Sequence, residues 1–304
     1  MMERISLKVN IAGVELQNPV MPASGTFGME SAEYVDCSKL GAIVPKSFTL
    51  KPQQGNPPPR VAETSCGMLN AVGIQNKGLE YFLSVTLPFF EKYGVPVIAS
   101  VSAYSEEDFM TIIKELNKKK TALIELNVSC PNLKEGGKAF GQSAEETYKI
   151  VKAAKSVSEI PLITKLSPNV TDITEIALAA ESAGTDAVSL VNTFLGMAID
   201  INTMRPKLGK ITGGLSGPAI KPIALRMVWQ VAQKVKIPVI GLGGIASGAD
   251  AIEFILAGAT AVQVGTGNFV RPDIMEKIIS EIEDYLRKKN ISDINQIIGG
   301  VIIE

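Results

Sequence analysis

Eight short apolar runs are spaced along the chain and alternate with longer amphipathic stretches up to about residue 289. The runs cover residues 20–23, 42–46, 96–101, 122–128, 161–166, 187–191, 238–242 and 261–264. Strands that are apolar almost without alternation are typical of a parallel sheet covered by helices on both faces. An eightfold strand–helix unit predicts an α/β protein with a (β/α)8 TIM barrel, and a doubly wound open sheet is the competing architecture.

Polar start signals precede several of the amphipathic stretches. A Ser or Asp followed three residues later by an acidic residue is typical of a helix start. These pairs are Ser105 with Asp108, Ser143 with Glu146, Asp172 with Glu175 and Ser247 with Asp250. Ahead of the first run, segments 7–10 and 14–17 are strand-like and flank Ala12-Gly13, so we expect a short N-terminal β-hairpin.

Two connections are too long to be plain barrel loops, and they cover residues 47–78 and 194–217. Each follows the carboxyl end of a strand, where barrel enzymes build their active sites, and loops of this length usually carry function. No linker or low-complexity tract divides the chain, so we interpret residues 1–304 as a single domain. The apolar segment after Asn290 is expected to pack on the barrel or on a partner.

Composition excludes several classes of protein. The 304 residues are 46% hydrophobic, and 30 basic against 31 acidic residues leave a net charge of −1, which gives no electrostatic argument for nucleic acid or an anionic membrane. The chain has no histidine, which excludes Ser-His-Asp and Cys-His machinery. Three cysteines are too few for a four-Cys cluster, and no metal site is expected. Without a secretory signal or an apolar run long enough to span a membrane, a cytoplasmic location is expected.

The densest group of polar side chains that could act on a ligand is Asn127-Val128-Ser129-Cys130-Pro131-Asn132, which closes the fourth apolar run. A thiol between two side-chain amides at the carboxyl end of a barrel strand is well placed to meet a ligand. The alternative is a buried structural cysteine, the usual situation of a free thiol. Cys37 and Cys66 lack such surroundings, so the buried structural interpretation is preferred for both.

Two lysines end otherwise apolar strands. Lys46 and Lys165 must each reach an anion or a polar ligand, because a buried unpaired ammonium is costly. Their position at the rim favours a ligand, and an internal salt bridge, for example with Glu125, is the alternative.

Asparagines gather at the same rim, namely Asn70, Asn127, Asn132 and Asn192. An amide offers two donors and two lone pairs, so several converging amides suit a neutral, planar ring such as a uracil-like heterocycle. Turn formation is a strong alternative for any single asparagine.

The last two strands end in glycine, in the segments 241–245 and 265–267. Glycines before helix starts let backbone N–H groups approach a phosphate, and the loops after strands seven and eight are the common phosphate site of barrels. The spacing is not a dinucleotide fingerprint. A phosphate-bearing cofactor, a polar ring and a thiol without histidine or metal fit FMN, with Lys165 stabilising negative charge on the reduced flavin.

At this point the motifs resemble a known family, dihydroorotate dehydrogenase family 1. The stretches that carry the resemblance are PASGTFG (22–28), KSFTLKPQQGNPPPR (46–60), MLNAVGIQN (68–76), NVSCPN (127–132), KLSPN (165–169), VNTFLGM (191–197), GGLSGPAIKP (213–222) and GLGGI (241–245). MLNAVGIQN and GGLSGPAIKP resemble subclass 1B, the NAD-linked catalytic subunit. The resemblance covers nearly the whole chain and implies FMN and a (β/α)8 barrel.

The resemblance also implies roles for individual residues. Cys130 would be the catalytic base in the oxidation of dihydroorotate to orotate, a step of pyrimidine biosynthesis. The substrate would be held by Lys46, Asn70, Ala71, Val72, Gly73, Ile74, Asn127, Asn132, Asn192 and Thr193. FMN would be held by Ser24, Lys46, Ser47, Ser100, Asn127, Lys165, Val191, Gly217, Gly243, Gly244, Gly265 and Thr266. The family usually has asparagine where this chain has the shorter Ser100, which puts a direct contact of this residue with FMN in doubt or makes it a contact mediated by water.

Subclass 1B further implies a homodimer within a heterotetramer, whose second subunit carries FAD and an iron–sulfur cluster and passes electrons to NAD⁺. The alternatives are a fumarate-linked subclass 1A enzyme, a dihydropyrimidine dehydrogenase-like flavoprotein, and a non-catalytic barrel that binds a phosphorylated metabolite.

Overall fold

A computed structural model of the chain describes residues 5–119, 121–129 and 140–303. Over these residues the strands are β1 (Val9–Ile11), β2 (Val14–Leu16), β3 (Val20–Pro22), β4 (Val61–Thr64), β5 (Gly67–Asn70), β6 (Ile98–Val101), β7 (Leu123–Asn127), β8 (Leu162–Lys165), β9 (Ala187–Leu190), β10 (Phe194–Gly196), β11 (Ile199–Asp200), β12 (Arg205–Pro206), β13 (Gly213–Ser216), β14 (Val239–Leu242) and β15 (Ala261–Val264). The α-helices are α1 (Gly78–Tyr81), α2 (Leu87–Glu91), α3 (Glu106–Asn117), α4 (Ala144–Val157), α5 (Ile173–Ser182), α6 (Lys221–Ala232), α7 (Gly248–Leu256), α8 (Gly267–Val270) and α9 (Ile274–Lys288).

Seven of these strands form one parallel sheet in the order β3-β15-β14-β9-β8-β7-β6. Six of its strands, all except β7, are buried at every position, as two-sided coverage requires. Between β6 and β15 the strands of this sheet alternate with helices, apart from the inserted strands β10 to β13 between β9 and α6, and neighbouring strands of the sheet pair in parallel register. The predicted α/β barrel architecture is confirmed.

The remaining predicted strand, residues 42–46, is the second of the eight along the chain. It closes the barrel through isolated contacts with both edges of the seven-stranded sheet. Gly41 N–H donates to Val20 O at 2.8 Å on one edge strand, and Ile43 pairs with Val97 beside the other edge strand. A regular ladder does not continue, since Pro45 has no N–H and Lys46 N–H donates to Phe27 O instead.

The predicted helix starts are confirmed as side-chain caps. Ser105 and Ser247 each accept the N–H three residues later, from Asp108 and Asp250, at 3.2 Å. Ser143 does the same for α4. At α5, Asp172 accepts from Thr174 N–H, two residues later. Asp172 therefore caps the helix without Glu175.

The ends of the chain pack together beneath the barrel. The predicted hairpin forms as β1 and β2, with Ala12 and Gly13 at positive φ in the turn. Ser6 N–H donates to Ser292 O, and Gly299 N–H donates to Ile255 O on α7. The segment after Asn290 therefore packs on the barrel as expected, although Ile302 is 84% exposed.

The two long connections fold into a second sheet. Strands β4 and β5 come from the first connection, β10 and β13 from the second, and they pair antiparallel in the order β10-β13-β5-β4. We call these four strands the roof sheet, since they face the carboxyl ends of the barrel strands across a cavity. Within the described residues, no helix has the length and apolar content needed to cross a membrane.

Candidate active site

A cavity of about 610 Å³ lies between the barrel strand ends and the roof sheet. Most of the residues predicted from the sequence line it: Ser24, Lys46, Ser47, Asn70, Val72, Gly73, Ile74, Asn127, Lys165, Val191, Asn192, Thr193, Gly217, Gly243, Gly244, Gly265 and Thr266. Two predicted residues, Ala71 and Ser100, are not on its wall. Cys130 and Asn132 lie outside the described residues.

The floor of the cavity is a buried charged cluster inside the barrel. Lys165 Nζ lies 3.5 Å from Glu125 Oε1, 3.3 Å from Gln263 Oε1 and 3.1 Å from Ser24 Oγ. Glu125 Oε2 accepts from Ser189 Oγ at 3.0 Å and from Gln263 Nε2 at 2.9 Å. Lys165 therefore forms the internal salt bridge with Glu125 that was the alternative interpretation. It also lines the cavity, where its contact with a ligand stays a prediction.

Ser100 lies behind the wall, next to this cluster. Its hydroxyl donates to Glu125 Oε1 at 3.2 Å and lies 2.9 Å from Ser47 Oγ, and Ser47 lines the cavity. The structure thus connects Ser100 to the cavity through Ser47 rather than by direct exposure.

A chain of amides and hydroxyls forms the side of the cavity at the end of β7. Asn192 Nδ2 donates to Asn127 Oδ1 at 3.2 Å and to Ser129 Oγ at 3.1 Å. Asn127 Nδ2 in turn donates to Ser102 Oγ, and Asn192 Oδ1 accepts from Thr193 N–H. Asn127 Oδ1 also accepts from Ser129 N–H, so these contacts fix both asparagines. One N–H of Asn127 Nδ2 and one lone pair of Asn192 Oδ1 remain to face a ligand.

A strained turn forms the wall next to β5. Gly73 and Ile74 both have positive φ, 73° and 53°, and this region is rare for a β-branched residue. Asn76 Nδ2 holds Ile74 O at 2.7 Å, and Asn56 Nδ2 holds Ala71 O at 2.9 Å. Ala71 therefore contributes its backbone carbonyl to holding this turn. The turn presents Val72, Gly73 and Ile74 to the cavity.

Arg60 clamps the same turn from the outside. Its guanidinium donates to Asn56 O, to Gln54 O at 2.9 Å and to Gln75 Oε1 at 2.6 Å. The Arg60 side chain therefore ties the backbone of Gln54 and Asn56 to Gln75, which directly follows the turn.

Glycines form the opposite end of the cavity. A Cβ at Gly244 would lie 2.8 Å from Gly217 O and 2.8 Å from Lys221 Cβ, so only glycine fits this close approach. Asp250 holds the loop that follows, because it accepts from Ala246 N–H and Ser247 Oγ and pairs with Lys221 Nζ at 2.6 Å. Burial alone would raise the pKa of Asp250, but these hydrogen bonds outweigh it and lower that pKa.

Several cavity residues were missed by the sequence analysis. They include Ser216, Thr26, Phe269 and Arg271. Ser216 accepts from Thr266 Oγ1 at 2.8 Å, and its place in GGLSGP beside Gly217 was the available signal. The others depend on tertiary placement, since isolated Thr, Phe and Arg residues carry no local pattern.

The two other cysteines differ from each other. Cys37 is fully buried, and burial raises its pKa to about 11. Cys66 is exposed in the β4–β5 turn, so the buried structural interpretation was wrong for this residue. Among the described residues, no three His, Cys, Asp or Glu side chains are grouped as a metal site would need.

The fold and the cavity define a (β/α)8-barrel protein with an enclosed ligand site at the carboxyl ends of its strands. Residues 6–286 match the family model described as dihydroorotate dehydrogenase, and the chain belongs to this family.

Curated relatives match along nearly the full length. The chain is 52% identical to the dihydroorotate dehydrogenase B (NAD(+)), catalytic subunit, of Geobacter metallireducens over 303 residues, 99% of each chain. It is 55% identical to the protein of the same name from Porphyromonas gingivalis over 295 residues, 96% of each. Among solved structures, it is similar to dihydroorotate dehydrogenase from Eimeria tenella in complex with ferulenol, with a TM-score of 0.78 and 25% identity, over 97% of this chain and 88% of that one.

Proposed function

We propose that this chain is an FMN-dependent enzyme that oxidises dihydroorotate to orotate in pyrimidine synthesis, with electrons passing to NAD⁺ through a partner subunit. The observation that carries the proposal is the convergence of two lysines, the amide chain and the glycine loops on one cavity. The names of the relatives favour NAD⁺ as the final acceptor over fumarate.

FMN fits the cavity by size and by donor chemistry. A volume of about 610 Å³ lies within the range of cofactor sites. Gly243, Gly244 and Gly265 line the cavity without side chains, so their backbone N–H groups would approach a phosphate there. The residues proposed to hold FMN are Ser24, Lys46, Ser47, Asn127, Lys165, Val191, Gly217, Gly243, Gly244, Gly265 and Thr266, with Ser100 behind Ser47. When bound, FMN supplies a hydride acceptor.

The substrate would bind between the amide chain and the strained turn. Asn127, Asn192 and Thr193 offer donors and acceptors matched to a ring that carries two carbonyls and two N–H groups. Lys46 and the backbone of the turn at Val72–Gly73–Ile74, next to Asn70, would hold the carboxylate. Asn132 would complete the amide set. The roof sheet covers the ring and excludes water.

Cys130 would be the general base. It would take the proton from the ring carbon next to the carbonyl, while the neighbouring carbon gives up a hydride, so that a carbon–carbon double bond forms. Support comes from the position of this residue directly after Ser129, which lines the cavity and accepts from Asn192. A thiol near neutral pH is a workable base when its surroundings favour the thiolate.

The partner would dock at the mouth of the cavity. Phe269 and Val270 line it and are 59% and 82% exposed, and Val61 on the roof sheet is 50% exposed. Exposed apolar side chains around an opening are typical of an interaction surface. We propose an electron-transfer subunit with FAD and an iron–sulfur cluster, a homodimer of this chain within a heterotetramer, and a cytoplasmic location.

The test is an anaerobic visible spectrum of the purified chain, before and after dihydroorotate. A flavin spectrum that bleaches supports the proposal. A flavin that bleaches with dihydrouracil and not with dihydroorotate would indicate a dihydropyrimidine enzyme, and reoxidation by fumarate would indicate subclass 1A. Protein that cannot be loaded with FMN would contradict the proposal.

A substitution of Cys130 tests its assignment as the general base. Cys130→Ala is expected to bind FMN and orotate but to slow flavin reduction by about 10²-fold or more, as removal of a general base does. Reduction at the full rate would assign the base elsewhere.

A further inference from the structure

Glu125 is an ionisable residue beneath the cavity that does not line it. It is completely buried on β7, and each of its carboxylate oxygens has two donors. Ser100 Oγ and Lys165 Nζ lie at Oε1, while Ser189 Oγ and Gln263 Nε2 lie at Oε2. Hydrogen-bond donors from four side chains therefore surround this one carboxyl group.

The donors to Glu125 connect it with two residues of the cavity wall. Lys165 Nζ lies between the Glu125 carboxylate and Ser24 Oγ, and both Lys165 and Ser24 line the cavity. Through Ser100, the carboxylate also reaches Ser47 on the wall. A single buried anion therefore sets the position of one cation and one hydroxyl that face the ligand.

Burial strengthens the electrostatic attraction between Lys165 and Glu125. Lys165 is 3% exposed, so its ammonium is little screened by water. Opposite charges at 3.5 Å largely cancel, and the floor therefore presents an oriented dipole rather than a full positive charge. Without Glu125, the cation would attract a negative charge in the cavity more strongly.

We propose that Glu125 is a positioning residue that holds the Lys165 ammonium at the cavity floor and thereby limits how strongly the site favours reduced, negatively charged flavin. The inference rests on the proposed function, because it assumes that flavin binds over Lys165. It assigns to Glu125 a role in the balance between the two oxidation states of the bound cofactor.

The experiment measures binding of oxidised and reduced FMN to apoprotein, and the midpoint potential of the bound flavin, in wild type and Glu125→Gln. Glutamine keeps the size but removes the charge and turns an N–H₂ group or a neutral oxygen toward Lys165. The affinity ratio of reduced to oxidised FMN is expected to rise about tenfold, which for a two-electron couple equals a potential about 30 mV higher.

A double-mutant cycle with Lys165→Met separates positioning from a direct effect. If Glu125 acts through Lys165, Glu125→Gln has no further effect on the ratio once the lysine is absent. An equal shift in both backgrounds would overturn the positioning role, and so would a Glu125→Gln ratio within a factor of two of wild type.

Thr164→Val is the control for a merely structural effect. Thr164 is fully buried on the same strand as Lys165 and bonds Thr185 Oγ1 at 2.9 Å, away from the cavity. It should lower stability and leave the affinity ratio unchanged, and a shift as large as that of Glu125→Gln would overturn the inference.

Glu125→Asp covers the case in which the glutamine variant does not fold. It keeps the charge but draws it back by one methylene, and a smaller shift in the same direction is expected. No shift, or a shift to lower potential, would contradict the inference. Wild-type apoprotein that binds no FMN would instead overturn the proposed function, together with this inference.

Discussion

The floor and the roof of the cavity are built from different kinds of sheet. The floor belongs to parallel strands that are buried on both faces and are joined through helices. The roof sheet is antiparallel, is made from two connections far apart in sequence, and leaves Leu195 69% exposed. The difference separates two tasks: burial in the barrel supplies stability, and the roof sheet closes the cavity opposite the ends of the barrel strands.

The largest expected effect comes from a deletion in the barrel. Ile163→Ala on β8 removes a fully buried side chain and should lower the free energy of unfolding by about 2–5 kcal/mol, measured by urea denaturation. Leu195→Ala on the roof sheet is the matched control and should stay within about 0.5 kcal/mol. Equal losses would mean that the roof sheet is part of the stabilising core.

The same added methyl group should act differently in the two regions. At Gly67 on the roof sheet, a Cβ would lie 2.1 Å from Ser216 O, which would push β5 away from β13. Gly67→Ala should weaken orotate binding about tenfold or more, a loss of about 1.4 kcal/mol or more in binding free energy.

Gly241→Ala on β14 is its counterpart in the barrel. There the Cβ would meet Phe254 Cδ1 at 2.7 Å, and overpacking should cost about 1–3 kcal/mol of stability. Isothermal titration and urea denaturation of both variants separate the effects. A Gly67→Ala protein that binds orotate as well as wild type would contradict the assignment of the roof.

The barrel could be predicted from the sequence because its signals are local. Each strand is one short apolar run, and caps such as Ser105 and Ser247 mark the helix starts. The roof sheet could not be predicted, since its register joins Asn70 to Gly214 and neither strand alternates. The long connections were expected to carry function, but their pairing with each other depends on tertiary contacts.

The candidate site divides in the same way. Lys165, Asn127 and the glycines end barrel strands, so their meeting follows from the parallel topology. The side chains that meet around Glu125 come from five different strands of the barrel interior. Hydrophobic periodicity along the sequence does not show which of these side chains meet. Ser100 is behind the wall because its hydroxyl bonds Glu125 and Ser47.

A smaller effect is expected at the glycine loop of the barrel. Asp250→Asn removes the ion pair with Lys221 and replaces the carboxylate that accepts from Ala246 N–H and Ser247 Oγ with a neutral amide, and it should cost about 1 kcal/mol at pH 7. Because folding lowers the pKa of Asp250, the stability it contributes is present above its ordinary pKa of about 3.9 and is lost as pH falls through the folded value.

Urea denaturation between pH 7 and pH 3 checks this dependence. The difference between wild type and Asp250→Asn should be constant near neutrality and should shrink toward pH 3. Asp284→Asn on α9, which is exposed, is the control and should change little at either pH. A difference that grows toward low pH would contradict the sign.

The smallest expected effect concerns the thiols and leaves stability unchanged. Cys66, in the turn of the roof sheet, should react with iodoacetamide at pH 8, whereas buried Cys37, with its pKa raised to about 11, should not. Peptide mass spectrometry of the native protein reads both sites, and Cys66→Ser is the control. Labelling of Cys37 at a comparable rate would show that the barrel opens there.

The pairing of β5 with β13 also concerns the making of the protein. Asn70 and Gly214 are 144 residues apart, and contacts of such long sequence separation form late. A nascent chain can begin its first strand–helix units while the roof still lacks half of its strands. Capture of ligand therefore waits at least until synthesis has passed Thr266, the last of the residues proposed to hold FMN, and a shorter released chain would not bind the cofactor.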